Sequence, residues 1–528
     1  MRYFNTSGPC VPGLHYMLPP EPRLPDAREL IEQSRYFIVH APRQTGKTTT
    51  MAALARDLNA AGRHVALVFS CEQARWTGDD IGAAEDLILG EIAAEASAQD
   101  LGPELLPPSP WPDAAMGGKL RAGLTAWARA CPLPLALFFD EIDALRGNSL
   151  ISVLSQLRAG HNARPSPFPA SVVLCGLRDI RDYRAAAGGH PDRLGTSSPF
   201  NVAVESMRIS NFTEDQVAEL YAQHTADTGQ EFQPDAVDRA FEYSQGQPWL
   251  VNAIAYEIVS GMRIEPSEPV TAAHVDQAKE RLILARATHL DYLTTRLAEP
   301  RVQRVLEPLL AGDVLQSRDP VYDDDVSYVR DLGLIAERPP IRVANPIYKE
   351  VIVRVLTAGI QESITARPND FLLPDGQIDF EKVLVGFAEF WHSFGEVLLL
   401  GGGYNEFAAQ LVFMAYLQRV VNGGGFVDRE YGIGMDRVDL LARKPYTGTD
   451  GKSAVQREAI ELKVRRQGRG NPLKVGLAQI DGYLDRLGLD TGTLVIFDRR
   501  PSTVRDHPYP QFSRASTPSG REITLLTA

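Results

Sequence analysis

The chain is poor in cysteine: four in 528 residues, at Cys10, Cys71, Cys131 and Cys175. None stands in a C-x-x-C spacing, so neither a disulfide framework nor a thiolate zinc site is expected, and a reducing cytoplasm suits the composition. Long apolar runs are also missing. No stretch of about 18 apolar residues offers a membrane span. The opening Met1-Arg2-Tyr3-Phe4-Asn5-Thr6 carries no apolar signal core. Internal repeats and long low-complexity tracts are absent. Positive charge is in deficit overall, with a net charge of −13. A protein coated in nucleic-acid-binding charge is therefore not expected. The deficit is uneven: residues 401–528 hold 18 basic and 14 acidic residues, whereas residues 1–400 hold 36 and 53. The C-terminal part is the better partner for a polyanion.

What is present begins with Ala41-Pro42-Arg43-Gln44-Thr45-Gly46-Lys47-Thr48. The apolar run Tyr36–Val39 before it reads as a strand. Lys47–Ala61 after it reads as a helix, with Met51, Leu54 and Leu58 at helical spacing and Gly62 as the stop. A glycine-bearing loop between strand and helix turns backbone N–H groups and a helix N-terminus toward phosphate. Lys47 then reaches the β- and γ-phosphates, and the Thr48 hydroxyl ligates Mg²⁺. Ala41, Gln44, Thr45, Gly46 and Thr49 complete the expected ATP contacts. Ala41 stands where such loops usually begin with glycine, and one methyl group is expected to alter the loop rather than abolish the site.

A second strand, Leu135–Phe139, ends in Asp140-Glu141. Asp140 is expected in the Mg²⁺ shell and Glu141 beside the attacking water. Further strand candidates are Val65–Ser70 and Ser171–Cys175. Strands alternating with helical patterns up to residue 208 predict a parallel sheet with helices on its faces. Arg178, just past the fourth strand, is a candidate phosphate sensor. Helices are expected from Thr213 and near Asp235. A helix ending at Gly333, followed by a hairpin returning through Ile341–Pro346, predicts a winged-helix-like unit. Pro368–Gly376 reads as linker punctuation. The boundaries expected are 1–210 for the ATPase core, 211–367 for a helical lid and winged-helix-like module, 368–394 for a linker region and 395–528 for a last α/β domain.

Residues 1–360 resemble the AAA-like, STAND-related ATPases of prokaryotes. The residues that carry this are Phe4–Pro9, Ala41–Thr48, Asp140-Glu141, Gly176–Arg178 and Gly246-Gln247-Pro248. The resemblance implies a nucleotide switch of slow turnover tied to an effector domain.

The last domain holds a second phosphate chemistry. Gly434–Ala442 and Glu458–Val464 read as paired strands joined by a polar loop, Lys444–Gln456. Glu461 and Lys463, two apart, project from one face, and Asp439 on the neighbouring strand approaches it. Two carboxylates and a lysine suit Mg²⁺-assisted phosphodiester hydrolysis, with Mn²⁺ an alternative metal. Glu406, in the helix expected from Asn405 to Val420, offers a third carboxylate. Gln479 and Tyr483 are expected on one face of the helix after the hairpin. The order of helix, D…E-x-K hairpin, Gln-bearing helix and strand resembles the PD-(D/E)XK nuclease superfamily over about 395–500. Position by position, Asp439, Glu461 and Lys463 match its core motif, Gln479 its helix residue and Glu406 its first-helix acid. Val438 stands where the motif's proline would be. Lys463, Arg465, Arg466, Arg469 and Lys474 form a basic stretch suited to a nucleic-acid backbone.

The expectation is thus an ATP-regulated, Mg²⁺-dependent nuclease acting on DNA, in defence or DNA processing by analogy with similar fusions. The alternative is a STAND-type switch whose nuclease-like domain only binds nucleic acid or a protein partner. Assembly into a homo-oligomer is left open, and no membrane partner is expected.

Overall fold

The computed structural model describes residues 2–19, 21–99, 101–177, 203–285, 293, 295–297, 299–310, 323–352, 355, 368–400, 408–421, 425–433, 436–447, 453–465, 468, 470–498, 500 and 510–528. The chain divides into two compact units. Unit 1 is Met1–Val305 with Gln316–Tyr348, and unit 2 is Leu306–Leu315 with Lys349–Ala528.

Unit 1 is built on β1 (Tyr36–His40), β2 (Val65–Ser70), β3 (Leu135–Asp140), β4 (Ser171–Gly176) and β5 (Ala203–Arg208), in the order β2-β3-β4-β1-β5. Every pairing is parallel. Strands β1, β3 and β4 are buried along their whole length. That is why they read as continuous apolar runs rather than alternating ones. One face packs on α3 (Ile81–Ala98), α4 (Lys119–Ala130) and α5 (Gly147–Asn162), where Ile88, Ile92, Trp127 and Leu157 meet Leu67 and Leu137. The other face packs on α1 (Ala27–Glu32) and α2 (Lys47–Ala60) through Ile31, Met51 and Leu54. Strand β5 had not been expected. It is short, carries Glu205 and Arg208, and sits at the sheet edge, where apolar patterning is weak.

Four helices follow: α6 (Glu214–Thr228), α7 (Pro234–Ser244), α8 (Pro248–Tyr256) and α9 (Ala272–Leu284). Thr213 starts α6, as expected, and does so with a reciprocal capping box to Gln216. The first residues of the chain are irregular yet built into this module. Phe4 is buried and packs against Tyr16, Tyr221 and Phe232. Arg2 pairs with Asp227 at 2.9 Å. In the expected winged-helix-like stretch, α10 (Asp324–Asp331) is followed by a minimal hairpin. A single antiparallel bridge joins Ile335 to Val343, flanked by backbone bonds between Ala336 and Arg342 and between Ala344 and Leu334.

Unit 2 carries a six-stranded mixed sheet in the order β10-β11-β9-β8-β7-β6. Its strands are β6 (Phe426–Ile433), β7 (Asp436–Thr447), β8 (Ser453–Arg465), β9 (Thr493–Asp498), β10 (Gln511–Ser516) and β11 (Glu522–Thr527). Strands β8, β9 and β11 run parallel, and the remaining pairs are antiparallel. Helices α11 (Phe380–Leu400) and α12 (Ala408–Val421) cover one face, where Phe387 and Phe413 lie against Phe497. Helix α13 (Leu473–Leu487) covers the other through Ile480 and Leu484.

Two expectations are corrected here. Residues 368–394 are not merely a linker: α11 begins at Phe380 and buries Val383, Leu384 and Phe387 in unit 2. Lys444–Thr447 and Ser453–Gln456 are not loop but paired strand, in register from Lys444–Gln456 to Thr447–Ser453. Gln456 is also anchored, exchanging two hydrogen bonds with the backbone of Ile378.

Candidate functional sites: a phosphate loop and a buried carboxylate pair

The phosphate loop leaves β1 and enters α2. Two residues take left-handed backbone, Gln44 at φ 57° and Gly46 at φ 84°. Gly46 needs its freedom, since it is the N-cap of α2 and a Cβ there would stand 3.2 Å from the Arg23 guanidinium. Thr45 closes the loop by donating to Pro42 O at 2.8 Å. Ala41 is fully buried, and its N–H bonds to Gly176 O at 3.2 Å. Its methyl group is thus packed among the strand ends. Lys47 donates to Ala41 O and Pro42 O, both at 2.8 Å. Burial lowers the pKa of its ammonium, and the nearby acidic groups oppose that shift. Thr48 donates to Asp140 Oδ2 at 2.6 Å, so hydroxyl and carboxylate share one point between α2 and the end of β3. The hydroxyl and carboxylate are hard oxygen donors of the kind that could hold Mg²⁺.

Glu141 follows in left-handed backbone at φ 54° and accepts from Ser70 at 3.1 Å. Burial raises its carboxyl, and the charge of Glu72 adds to the effect. Lys47, Thr48, Asp140 and Glu141 line one cavity of ≈ 390 Å³ together with Glu72 and Arg75. A smaller cavity of ≈ 110 Å³ lies beside the loop, lined by Gly46, Thr49, the N-terminal segment at Thr6–Gly8, and Trp249. The N-terminal segment is tied there, Cys10 N–H to Thr49 Oγ1 at 3.0 Å and Trp249 Nε1 to Thr6 O at 2.8 Å. Gln247, of the Gly-Gln-Pro turn, caps α8 through Leu250 N–H and reaches Gln44 O at 3.4 Å.

Sequence reasoning missed Arg23. Its guanidinium is buried and donates to Thr45 O and Ser210 O at 2.7 Å, buttressing the phosphate loop from behind. Burial pulls its pKa down to about 10. Nothing local to Arg23 announces this role, because its partners stand 22 and 187 residues away. Glu72 and Arg75 were missed for the same reason. Arg178 lies outside the described residues.

In unit 2 the structure brings Asp439, Glu461 and Lys463 together. Asp439 Oδ2 accepts from Leu462 N–H at 2.9 Å, which locks β7 to β8 at this point. Lys463 donates to Glu461 Oε1. Glu461 is 1% exposed, and its carboxyl lies within hydrogen-bonding reach of the Asp439 side chain. Burial raises the Glu461 carboxyl well above the usual carboxylate range. The charge of Asp439 adds to this and Lys463 opposes it. Two carboxylates buried side by side repel unless one holds a proton or a divalent cation neutralises them. Oxygen donors of this kind fit Mg²⁺ or Mn²⁺. Helix α13 crosses close to Lys463: a Cβ on Gly476 would stand 3.4 Å from Lys463 Cγ and 2.8 Å from Leu494 Cδ1.

The other predicted residues fare differently. Gln479 is exposed one turn beyond Gly476, and no hydrogen bond joins it to Asp439, Glu461 or Lys463 among the described residues. Tyr483, expected on the same face, is buried instead. Glu406, Arg466 and Arg469 lie outside the described residues. Lys474 is exposed, and Arg465 approaches Asp498 at 3.9 Å.

The two units define a P-loop NTPase sheet with a helical module, and a separate α/β unit with a mixed sheet. No protein-family model matches the chain, and no curated protein matches it. Solved structures similar to it include the Walker-type ATPase PABY2304 of Pyrococcus abyssi, at 13% identity and a TM-score of 0.46, covering 66% of this chain and 99% of that one. The Aeropyrum pernix ORC1 protein in complex with DNA gives 13% identity and 0.35, covering 65% and 93%. The Thermotoga maritima RuvB Holliday junction branch migration motor gives 14% and 0.33, covering 63% and 92%. At these identities and scores the likeness carries no functional weight. None of the described helices is long and apolar enough to cross a membrane.

Proposed function

We propose that this chain is an ATP-regulated, metal-dependent nuclease. Unit 1 binds and hydrolyses ATP with Mg²⁺, and unit 2 cleaves phosphodiester bonds, with DNA as the expected substrate. The nucleotide half rests on the loop from Ala41 to Thr49 facing Asp140 and Glu141. Lys47 exchanges its two carbonyl partners for phosphate oxygens. Thr48 and Asp140 hold the Mg²⁺ shell, and Glu141 accepts a proton from the attacking water.

The observation that carries the nuclease half is the buried Glu461 carboxyl, held between Asp439 and Lys463. Asp439 and Glu461 would hold a Mg²⁺ or Mn²⁺ ion, which supplies a Lewis acid and a lowered pKa for bound water. Lys463 orients the attacking water and stabilises charge on the phosphorane. The C-terminal excess of basic residues favours a polyanionic substrate. No base-reading helix is apparent in the sequence, so cleavage without sequence preference is expected.

The experiment is a cleavage assay on single-stranded, duplex and branched DNA and on RNA. It is run with Mg²⁺ or Mn²⁺ and with ATP, a non-hydrolysable analogue or no nucleotide. Cleavage that responds to nucleotide supports the proposal. Absence of cleavage under all these conditions leaves a nucleotide switch whose unit 2 only binds, the reading in which ATP drives assembly or signalling.

A further inference from the structure

The nucleotide cavity has a cation on the side away from the phosphate loop. Arg75 lines the same ≈ 390 Å³ space as Lys47, Asp140 and Glu141. It follows β2 in a short 3-10 helix, Glu72–Thr77, and its guanidinium pairs with Glu72 at 3.0 Å. Both side chains remain solvent-accessible, at 34% and 55%. An exposed ion pair of this kind contributes little to stability, so holding it together is not reason enough for its position.

The sheet order gives the position meaning. Strand β2 lies beyond β3, on the far side from β1. With strands about 4.8 Å apart, β1 and β2 are separated by roughly 14 Å. The Thr48–Asp140 contact marks the point between α2 and β3 where a metal-bound phosphate belongs. A phosphate chain cradled at β1 and passing Asp140 would run toward the β2 side of the sheet, where the 3-10 helix that carries Arg75 begins. The cavity already holds four carboxylates, Glu72, Asp140, Glu141 and Asp143. Lys47 approaches the phosphates from the loop side, where it bonds Ala41 O and Pro42 O.

Resting on the nucleotide-site reading above, we propose that Arg75 is the group that distinguishes a nucleoside triphosphate from a diphosphate. Glu72 holds Arg75 in this structure. A terminal phosphate offers two charges and a bidentate match to the guanidinium fork, so it displaces Glu72 as the partner. A diphosphate ends short and leaves Arg75 on Glu72. Arg75 therefore adds affinity for the third phosphate alone.

The test is calorimetric titration of the full chain with Mg²⁺ and either ADP or a non-hydrolysable ATP analogue. Arg75→Ala is expected to weaken the triphosphate analogue about tenfold or more, the scale of a charge-assisted contact, and to leave ADP within about twofold. Glu72→Gln releases Arg75 and is expected to tighten the analogue by about two- to fivefold, with ADP unchanged. It serves as an independent check should Arg75→Ala fold poorly, which its melting temperature without nucleotide reports. Wild-type chain that binds neither nucleotide overturns the site reading and the inference together. Wild-type binding with an unchanged triphosphate preference in both variants overturns the inference alone, as does equal weakening of both nucleotides.

Discussion

Replacing Gly246 by alanine strikes the junction between the helical module and the phosphate loop. Gly246 has φ +70°, and a Cβ there would lie 1.9 Å from Phe212 O and 2.8 Å from Phe212 C. Left-handed backbone alone costs alanine about 1 kcal/mol relative to glycine. The contact with a carbonyl oxygen cannot be relieved by a side-chain rotation, so the backbone must move. The 2.8 Å bond from Phe212 N–H to Gly246 O is then lost, at about 1 kcal/mol or more. The total is about 2–4 kcal/mol. Gly229 is the internal control. It has φ +80° at the end of α6, and nothing lies within 4 Å of its Cβ position. Gly229→Ala therefore costs only the backbone term, about 1 kcal/mol. Denaturant unfolding followed by tryptophan fluorescence reads the difference, because Trp76, Trp111, Trp127 and Trp249 all belong to unit 1. The displacement also reaches the nucleotide site on two sides. Phe212 lies under the Arg23 guanidinium that holds Thr45 O, and Gln247 reaches Gln44 O. Gly246→Ala is thus expected to weaken nucleotide binding as well as stability, whereas Gly229→Ala weakens stability alone. Equal destabilisation by the two variants would refute the reasoning.

Two further predictions concern single groups. Thr48→Val keeps the side chain's shape but removes the hydroxyl that bonds Asp140 Oδ2. Nucleotide affinity in Mg²⁺ is expected to fall about tenfold toward the value in EDTA, and affinity in EDTA to stay near wild type; a Mg²⁺ dependence identical to wild type contradicts the assignment. Glu458 accepts from Thr493 at 2.9 Å, and burial raises its carboxyl from 4.5 to about 7. The folded state therefore holds a proton that the unfolded state has lost, and stability falls as pH rises from about 4.5 to 7. Glu458→Gln, neutral throughout, is expected to match wild type below about pH 4 and to be about 1–3 kcal/mol more stable at pH 8. A pH-independent difference between the two would contradict this.

How much of this was legible in the sequence depends on whether the signal is local. The phosphate loop, β1 and α2 announce themselves because a buried parallel strand is apolar throughout and the loop's chemistry is contiguous. The pairing of Asp439 with Glu461 and Lys463 was readable because a two-residue period and one hairpin bring them together. Strand β5 was not, since an edge strand with Glu205 and Arg208 lacks that apolar run. The outer arms of β7 and β8 looked like loop because Lys444–Gln456 is polar, yet backbone pairing extends them beyond the core. Helix α11 was hidden behind the Pro- and Gly-rich stretch before it, although Phe380, Leu384, Phe387 and Trp391 follow helical spacing. Arg23, Glu72 and Arg75 carried no local signal, because their roles come from tertiary neighbours.

The most direct measurement compares DNA cleavage and ATP hydrolysis in wild type, Lys47→Ala, Glu461→Gln and Lys463→Ala, with Mn²⁺ or Mg²⁺. The account predicts that Glu461→Gln and Lys463→Ala lose cleavage by about a hundredfold or more while hydrolysing ATP at the wild-type rate. Lys47→Ala loses nucleotide binding and, with it, the nucleotide response of cleavage. Cleavage by Glu461→Gln at the wild-type rate, or a wild-type protein that cuts no nucleic acid, would contradict the account.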